Sequence, residues 1–218
     1  MTIYLSFSGG LDSTALLALA VERHGPAEVV AVSFDYGQRH ARELVAAREV
    51  AVVLDVRHRI LDLTGLLSGS ALIDGPEVPE GHYAADNMSA TVVNGRNLLF
   101  ASAVIAQTQP GDEVWLGVHA GDHPIYPDCR LEFVAGLAQA AQAYDVTVRA
   151  PWVAMSKAEV IAASPRAPLA LSWSCYKGGE RHCGRCGTCV ERAEAFSLAG
   201  VPDPTTYEDA DYWQRVTS

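Results

Sequence analysis

Apolar residues dominate Ile3–Phe7 and Val29–Phe34, each broken by one serine, and both stretches are short and rich in β-branched or aromatic side chains. Such runs predict strands buried on both faces. Between them Asp12–His24 reads as a helix ended by Gly25-Pro26, a pair unsuited to continuing it. Arg39–Leu54 reads as a second helix, with Leu44, Ala47, Ala51 and Leu54 on one face, and Val56–Ile60 as a third strand. This β-α-β-α-β order predicts a parallel sheet with right-handed crossovers. Further on, the pattern predicts helices over Asn97–Gln107, Cys129–Tyr144 and Lys157–Ala163, and strands over Glu113–Val118 and Val146–Val148. Ser156 is placed to cap the Lys157 helix, with Glu159 three residues on. A last helix is expected from Val190 to Leu198. The stretch Leu61–Gly95 is different: Gly65, Gly69, Gly75, Pro76, Pro79 and Gly81 interrupt any period. An irregular segment of that length is expected to be a functional loop or a partner surface.

Ligands in open parallel sheets bind beyond the carboxyl ends of the strands, and the polar clusters of this chain fall there. Ser8-Gly9-Gly10-Leu11-Asp12-Ser13-Thr14 follows the first strand. Glycine admits close approach of a phosphate to the backbone, and the helix that follows offers unpaired N–H groups and a positive dipole end. Ser8, Ser13 and Thr14 add hydroxyls, and Asp12 suits a phosphate site that also holds Mg²⁺. The competing reading is a Gly-Gly turn with simple helix capping.

Asp35-Tyr36-Gly37-Gln38-Arg39-His40 follows the second strand, and His119–Arg130 the fourth. The latter packs two aspartates, two histidines, a tyrosine and an arginine into a short loop. Arg130 offers a planar fork to a carboxylate or a base edge. Asp122 or Asp128 could accept hydrogen bonds from an amino-pyrimidine edge, although helix capping explains Asp128 as well. Gly95-Arg96-Asn97 opens a helix, as an anion contact or a cap. Lys157 beside a triphosphate would stabilise charge as pyrophosphate leaves; otherwise it is a solvated helix lysine. Cys129 reads as a small buried side chain.

Cys175, Cys183, Cys186 and Cys189 form C-x7-C-x2-C-x2-C. Each C-x2-C pair turns two thiolates toward one ion, and four satisfy tetrahedral Zn²⁺. Structural zinc is therefore expected, with disulfide or redox use and an iron–sulfur cluster as the alternatives. Cys183 fills the place that His182 would otherwise take. Arg181, Arg185 and Arg192 surround the cysteines and read as solvated charges.

The chain has 218 residues, 49% of them hydrophobic, and a net charge of −10. These values suit one α/β domain, 1–165, with a small module, 166–218, packed on the same unit. The charge opposes stable binding to nucleic acid. No apolar run reaches membrane-spanning length. The N-terminus enters a strand at once, without the look of a signal peptide, so a reducing, cytoplasmic setting is expected.

The Ser-Gly-Gly-x-Asp-Ser-Thr run resembles the pyrophosphate-binding loop of the N-type ATP pyrophosphatases. Together with Asp-Tyr-Gly-Gln-Arg-His, Gly-Arg-Asn, Tyr126-Pro-Asp-Cys-Arg130 and the cysteine module, in that order, the chain resembles the QueC family from Ile3 to about Val201. It departs from that pattern at Asn94, where proline often precedes Gly-Arg-Asn. The resemblance implies a Rossmann-like (adenine nucleotide alpha hydrolase-like) five-stranded parallel sheet with helices on both faces and a small C-terminal zinc-binding module of four cysteines. It implies a ligase that turns 7-carboxy-7-deazaguanine, ATP and ammonia into 7-cyano-7-deazaguanine through adenylated acid and amide intermediates. Phe7, Ser8, Gly9, Gly10, Leu11, Asp12, Ser13 and Thr14 would then hold the ATP phosphates and Mg²⁺. Phe34, Asp35 and Tyr36 would border the adenosine. Arg96, Asn97, Asp122, Tyr126, Asp128 and Arg130 would contact the deazaguanine and its carboxylate, with Asp12, Lys157 and Arg130 catalytic. A homodimer is implied, with the 61–95 segment able to help build its interface. Three rival readings remain at this level: transfer of the adenylated acid to another amine, a tRNA-thiolation enzyme using Cys129, and a non-catalytic nucleotide sensor.

Overall fold

The computed structural model describes residues 1–217; Ser218, the last residue of the expected 166–218 module, lies outside them. Strands β1 (Ile3–Ser6), β2 (Val29–Asp35), β3 (Arg57–Asp62), β4 (Glu113–Trp115) and β5 (Thr147–Arg149) form one sheet. Their order is β3-β2-β1-β4-β5 and every neighbouring pair is parallel. The chain builds outward from β1 through β2 and β3, then returns to the other side of β1 with β4. The gap beyond the ends of β1 and β4 is thus the switch point at which such sheets bind ligands.

Both faces are covered. Ile3, Leu5 and Phe7 point to one face, where they pack with helices α1 (Leu11–His24), α2 (Arg42–Val53), α5 (Lys157–Ala162) and α6 (Gly187–Ala199). Tyr4, Val30, Val32 and Val114 point to the other, against α3 (Arg96–Ile105) and α4 (Leu131–Ala141). The two-residue period of a strand sends alternate side chains to opposite helical layers. Phe196 of α6 lies in the same core as Ile3 and Leu5, so the C-terminal segment shares the main core.

Several ends differ from expectation for local reasons. Helix α2 begins at Arg42, not Arg39: the Arg39 amide donates to the Leu72 carbonyl at 2.9 Å, and its guanidinium reaches the carbonyls of Ile73, Gly75 and Pro76 at 3.1, 2.6 and 3.1 Å. That side chain ties down the 73–76 stretch of the irregular 61–95 segment, whose regular piece beyond the end of β3 is a 3-10 turn over Asp86–Thr91. Helix α4 begins at Leu131, since Pro127 sets a separate 3-10 turn and Arg130 is extended (φ −81°, ψ 159°). Helix α6 begins at Gly187, within the cysteine module. A short helix α7 (Tyr212–Thr217) had no signal in the pattern. The expected Ser156 cap forms as a full capping box with Glu159.

Arg192 corrects the reading of a solvated zinc-loop charge. It is 1% exposed and its guanidinium bonds Thr205, Ser172, Ser174 and the Leu169 carbonyl. Those bonds tie α6 to the segment 169–174.

Candidate active site

The loop after β1 is shaped by packing. Gly9 has φ +84°, and a Cβ on it would lie 2.5 Å from the Glu43 carbonyl and 2.7 Å from the Ala47 amide of α2. Gly10 is the N-cap of α1, and no side chain covers that helix end. Ser8 Oγ accepts from the Gly10 amide at 3.1 Å and lies 3.1 Å from Ser13 Oγ. The result is an open helix N-terminus with two hydroxyls beside it, a geometry that receives anions. Gly9→Ala must therefore displace α2 or the loop. We expect it to cost about 3 kcal/mol, the upper end of overpacking, seen as a lower midpoint in thermal unfolding together with loss of ATP binding.

A cavity of about 190 Å³ opens at this point. Ser8, Gly10, Leu11, Asp12 and Ser13 line it from the loop, Phe34 and Tyr36 from the end of β2, and Arg96 and Asn97 from the start of α3. Asp122, Tyr126 and Lys157 complete the set of predicted binding residues that it brings together, and Cys129 lines it too. The others stand elsewhere. Phe7 is wholly buried in the core and Thr14 is wholly buried in α1. Asp35 Oδ1 accepts from the Gly37 amide. Asp128 accepts from the Asn97 amide at 3.1 Å, and its carbonyl accepts from Asn97 Nδ2 at 3.1 Å, so this residue ties down the start of α3. Arg130 is exposed and donates Nε–H to the His123 carbonyl at 2.9 Å; the loop that carries it turns its fork away from the cavity. The structure thus places Arg130 apart from the residues with which it was grouped.

The electrostatic centre is a buried knot. Lys157 Nζ is 2.6 Å from Glu191 Oε2 and 3.3 Å from Asp12 Oδ2. Burial alone would lower the Lys157 pKa, but Asp12 and Glu191 more than offset it and hold the ammonium well above its ordinary value. Burial would raise Asp12; the Lys157 charge foremost reverses that and keeps it below the usual carboxylate range. Asp122 is raised, by burial first. His119 is fully buried, and its Nδ1 accepts from the Gly121 amide at 3.0 Å. The ring's proton is therefore on Nε2, which faces Asp122, Asp12 and Glu191 at 3.4, 3.6 and 3.9 Å. Arg96 sits across the cavity near the Tyr36 hydroxyl at 3.5 Å. Burial opposes its charge, yet Tyr36, Tyr176, Tyr126 and Asp128 hold it up.

Glu191, Trp173, Tyr176 and Thr188 also line the cavity, and no sequence argument singled them out. Glu191 lies two residues past Cys189, where the metal signal drew the attention; only the packing of α6 on α5 sets it against Lys157.

The four cysteine sulfurs lie within 4.8 Å of one another and are all buried. Cys183 Sγ and Cys189 Sγ are 3.9 Å apart, close to the edge of about 3.8 Å that a tetrahedron of Zn–S bonds requires. The amides of Arg185 and Cys186 donate to Cys183 Sγ, both at 3.3 Å, as hydrogen bonds to thiolates around a metal do. All five cysteines are unpaired by disulfides. His182 turns away from the sulfurs: its Nε2 accepts from the Ser174 amide and its ring packs on Trp173. Asp12 Oδ1, buried and without a partner, fits a cation beside the loop.

A family model described as queuosine biosynthesis protein QueC matches residues 2–200. The 7-cyano-7-deazaguanine synthase of Chelativorans sp. strain BNC1 is 49% identical over 231 aligned positions, covering 100% of this chain and 98% of that protein. The 7-cyano-7-deazaguanine synthase of Rhizobium rhizogenes strain K84 is 51% identical over 224, covering 97% and 94%. Among solved structures, the U34-tRNA thiolase NcsA from Methanococcus maripaludis with its 4Fe–4S cluster is similar with a TM-score of 0.45 and 12% identity, over 100% of this chain and 64% of that one. So loose a likeness bears on neither fold nor chemistry.

Proposed function

The chain belongs to the QueC family of queuosine biosynthesis proteins and works as a 7-cyano-7-deazaguanine synthase, and on that premise we propose how its cavity performs the reaction. The 7-carboxyl oxygen of the deazaguanine acid attacks the α-phosphorus of ATP, and pyrophosphate leaves. Ammonia then forms the C–N bond while the C–O bond to AMP breaks, and AMP carries off the electron pair; the nitrogen's surplus proton goes to solvent. The amide oxygen is adenylated by a second ATP in the same way. Loss of AMP, with its C–O electron pair, and of both remaining N–H protons to solvent leaves the nitrile. Hydroxide and oxide are poor leaving groups, and adenylation replaces each with AMP. No nucleophilic side chain is needed, so the protein's part is positioning and charge stabilisation.

In this reading the open end of α1 and the Ser8 and Ser13 hydroxyls hold the phosphates. Asp12 holds Mg²⁺, which when bound neutralises phosphate charge. Lys157 faces the charge that grows on the departing pyrophosphate. Arg96 receives the substrate carboxylate. Phe34, stacked on Phe100 at 4.0 Å, and Tyr36 offer the flat walls that a ring system needs. Residues 166–218 act as the zinc module that builds the Trp173–Tyr176 wall of the cavity, on the 1–165 ATP-binding body. The observation that carries the reading is the meeting of the open helix end, the Asp12–Lys157–Glu191 knot and Arg96 around one cavity at the switch point. A homodimer in the cytoplasm is the setting we propose. No helix among the described residues is long and apolar enough to cross a membrane, and unpaired cysteines suit a reducing compartment. Light scattering checks the dimer.

The deciding experiment incubates the protein with 7-carboxy-7-deazaguanine, Mg-ATP and ammonium and identifies base and nucleotide products by mass spectrometry. Nitrile with AMP is expected. An arrested amide, or ADP in place of AMP, would overturn the mechanism. Cys129→Ser is expected to retain full turnover, because burial pushes the Cys129 thiol far above its ordinary pKa and it has no reactive role. A large loss of activity with the fold intact would bring back thiolation chemistry.

A further inference from the structure

The two aspartates expected to face the amino-pyrimidine edge of the base are engaged elsewhere. Asp128 ties down the start of α3, and Asp122 sits in the buried knot, 3.4 Å from His119 Nε2. Of the four carboxylates that line the large cavity, Asp12, Asp122 and Glu191 all gather around His119. The fourth, Glu43, stands apart. It is 8% exposed and, among the described residues, has no lysine or arginine within ion-pair distance. Burial first, and the Glu43 charge after it, raise the Tyr36 hydroxyl above its ordinary pKa against the pull of Arg96. Glu43 therefore lies on the Tyr36 side of the cavity.

Gln38, 4% exposed, holds this carboxylate in place. Its Oε1 accepts from the Tyr36 amide at 2.9 Å, and its Nε2 donates to the Phe34 carbonyl at 3.0 Å. Those two backbone partners fix which end of the amide is which. Nε2 also donates to Glu43 Oε1, at 2.9 Å. Among the described residues Glu43 Oε2 receives no hydrogen bond; His40 Nε2 lies 3.4 Å from it. Nor is Oε2 one of the sealed, unpartnered atoms of the structure, so it opens into the cavity that Glu43 lines. A carboxylate has about four acceptor positions, and here most of them await a donor.

The substrate has donors to offer there. With its carboxylate on Arg96 and its ring beside Phe34 and Tyr36, 7-carboxy-7-deazaguanine carries N1–H and a 2-amino group side by side on the six-membered ring, away from the carboxylate. Tyr36 links the two ends: its hydroxyl is 3.5 Å from Arg96 Nη1 and feels the Glu43 charge. We infer that Glu43, positioned by Gln38, accepts from the N1–H and 2-amino edge and so selects this base over rings that lack the amino group. The inference deepens the proposed function and rests on its placement of the acid. A ring without the 2-amino group leaves a buried acceptor unpaired, which is how sites built to bind a polar group reject ligands lacking it.

The test compares kcat/KM for the acid and for its 2-deamino analogue, 7-carboxy-7-deazahypoxanthine, in the wild type, Glu43→Gln and Gln38→Leu. The KM for ATP is measured beside them. The wild type is expected to favour the acid about 10²-fold. Glu43→Gln keeps the size of the side chain and an oxygen for Gln38. It is expected to raise the acid KM about ten-fold and shrink the preference to about three-fold, with the KM for ATP unchanged. Gln38→Leu is expected to narrow the preference in the same direction by less. A merely structural role would weaken both substrates alike, and an intact preference in Glu43→Gln overturns the inference. A wild type that uses both bases equally overturns it too, without any variant having to fold. So does a preference lost in Asp122→Asn and kept in Glu43→Gln, or a Glu43→Gln effect on the choice between ATP and inosine triphosphate, which would give Glu43 to the adenine instead. Calorimetric affinities for the two bases carry the same comparison without turnover. No nitrile from a wild type that still binds the acid in preference would defeat the proposed reaction and support the role of Glu43.

Discussion

Lys157→Met is expected to lower turnover by about 10³-fold, some 4 kcal/mol of transition-state stabilisation, the scale of removing one preorganised donor from a developing anion. The residue is 8% exposed and, among the described residues, is the one lysine or arginine within reach of both Asp12 and Glu191. Its loss leaves buried carboxylates without a partner, which costs about 3–5 kcal/mol and lowers the unfolding midpoint by about 10 °C in a chain of this size. Catalytic and structural losses can be separated. In Lys157→Met/Glu191→Gln one orphaned charge is gone, so stability should recover in part while turnover stays low. Lys157→Arg keeps the charge but replaces a compact ammonium with a planar fork, and should restore stability more than rate. A Met variant within ten-fold of wild-type turnover would remove Lys157 from the mechanism.

Cys183→Ser is expected to release the metal, abolish activity and lower the unfolding midpoint by more than about 10 °C, given the roughly 10–16 kcal/mol with which four-ligand zinc sites hold their ion. Cys183 receives the amide hydrogen bonds of Arg185 and Cys186 and stands opposite Cys189. It therefore organises the loop as well as the ion. The consequence reaches the cavity because Cys175 is followed by Tyr176, and Thr188 and Glu191 flank Cys189 on α6, all lining the site. His182→Gln serves as the control: that ring bonds the Ser174 amide and packs on Trp173, so metal content should hold at one equivalent. Metal analysis of the purified proteins, read beside their thermal unfolding, checks both. Wild-type stability and turnover in a metal-free Cys183→Ser protein would sink the structural role.

The elements most legible in the chain were those specified by nearest neighbours. The apolar runs at Ile3 and Val29 read as buried strands, the Ser156/Glu159 pair announced a capping box, and two C-x2-C turns announced the cluster of four sulfurs. The glycines of the loop were legible in kind. Their strictest requirement, the close approach of α2 to Gly9, was not, because it depends on a helix distant along the chain. Ends of elements shifted where a distant partner intervened, as Arg39 did by binding the carbonyls at 73–76 instead of starting α2.

The site shows the same division. Phosphate-loop chemistry and metal chemistry depend on residues a few positions apart, so the one-dimensional order carries them. Asp12 was marked by its place in the loop, but its partnership with Lys157 and Glu191 joins residues from three helices. Arg192 read as a solvated charge because no local pattern distinguishes an exposed arginine from one buried among four polar partners. Asp128 and Arg130 lay in a stretch rich in chemistry, yet a 3-10 turn sent one to cap α3 and the other to solvent. Sequence alone determined the fold class, the loop and the cysteine cluster, since local spacing and hydrophobic period are written along the chain. Which charges meet, and at what depth, was decided only by tertiary packing, because electrostatic strength follows through-space distance and burial, neither of which sequence separation measures.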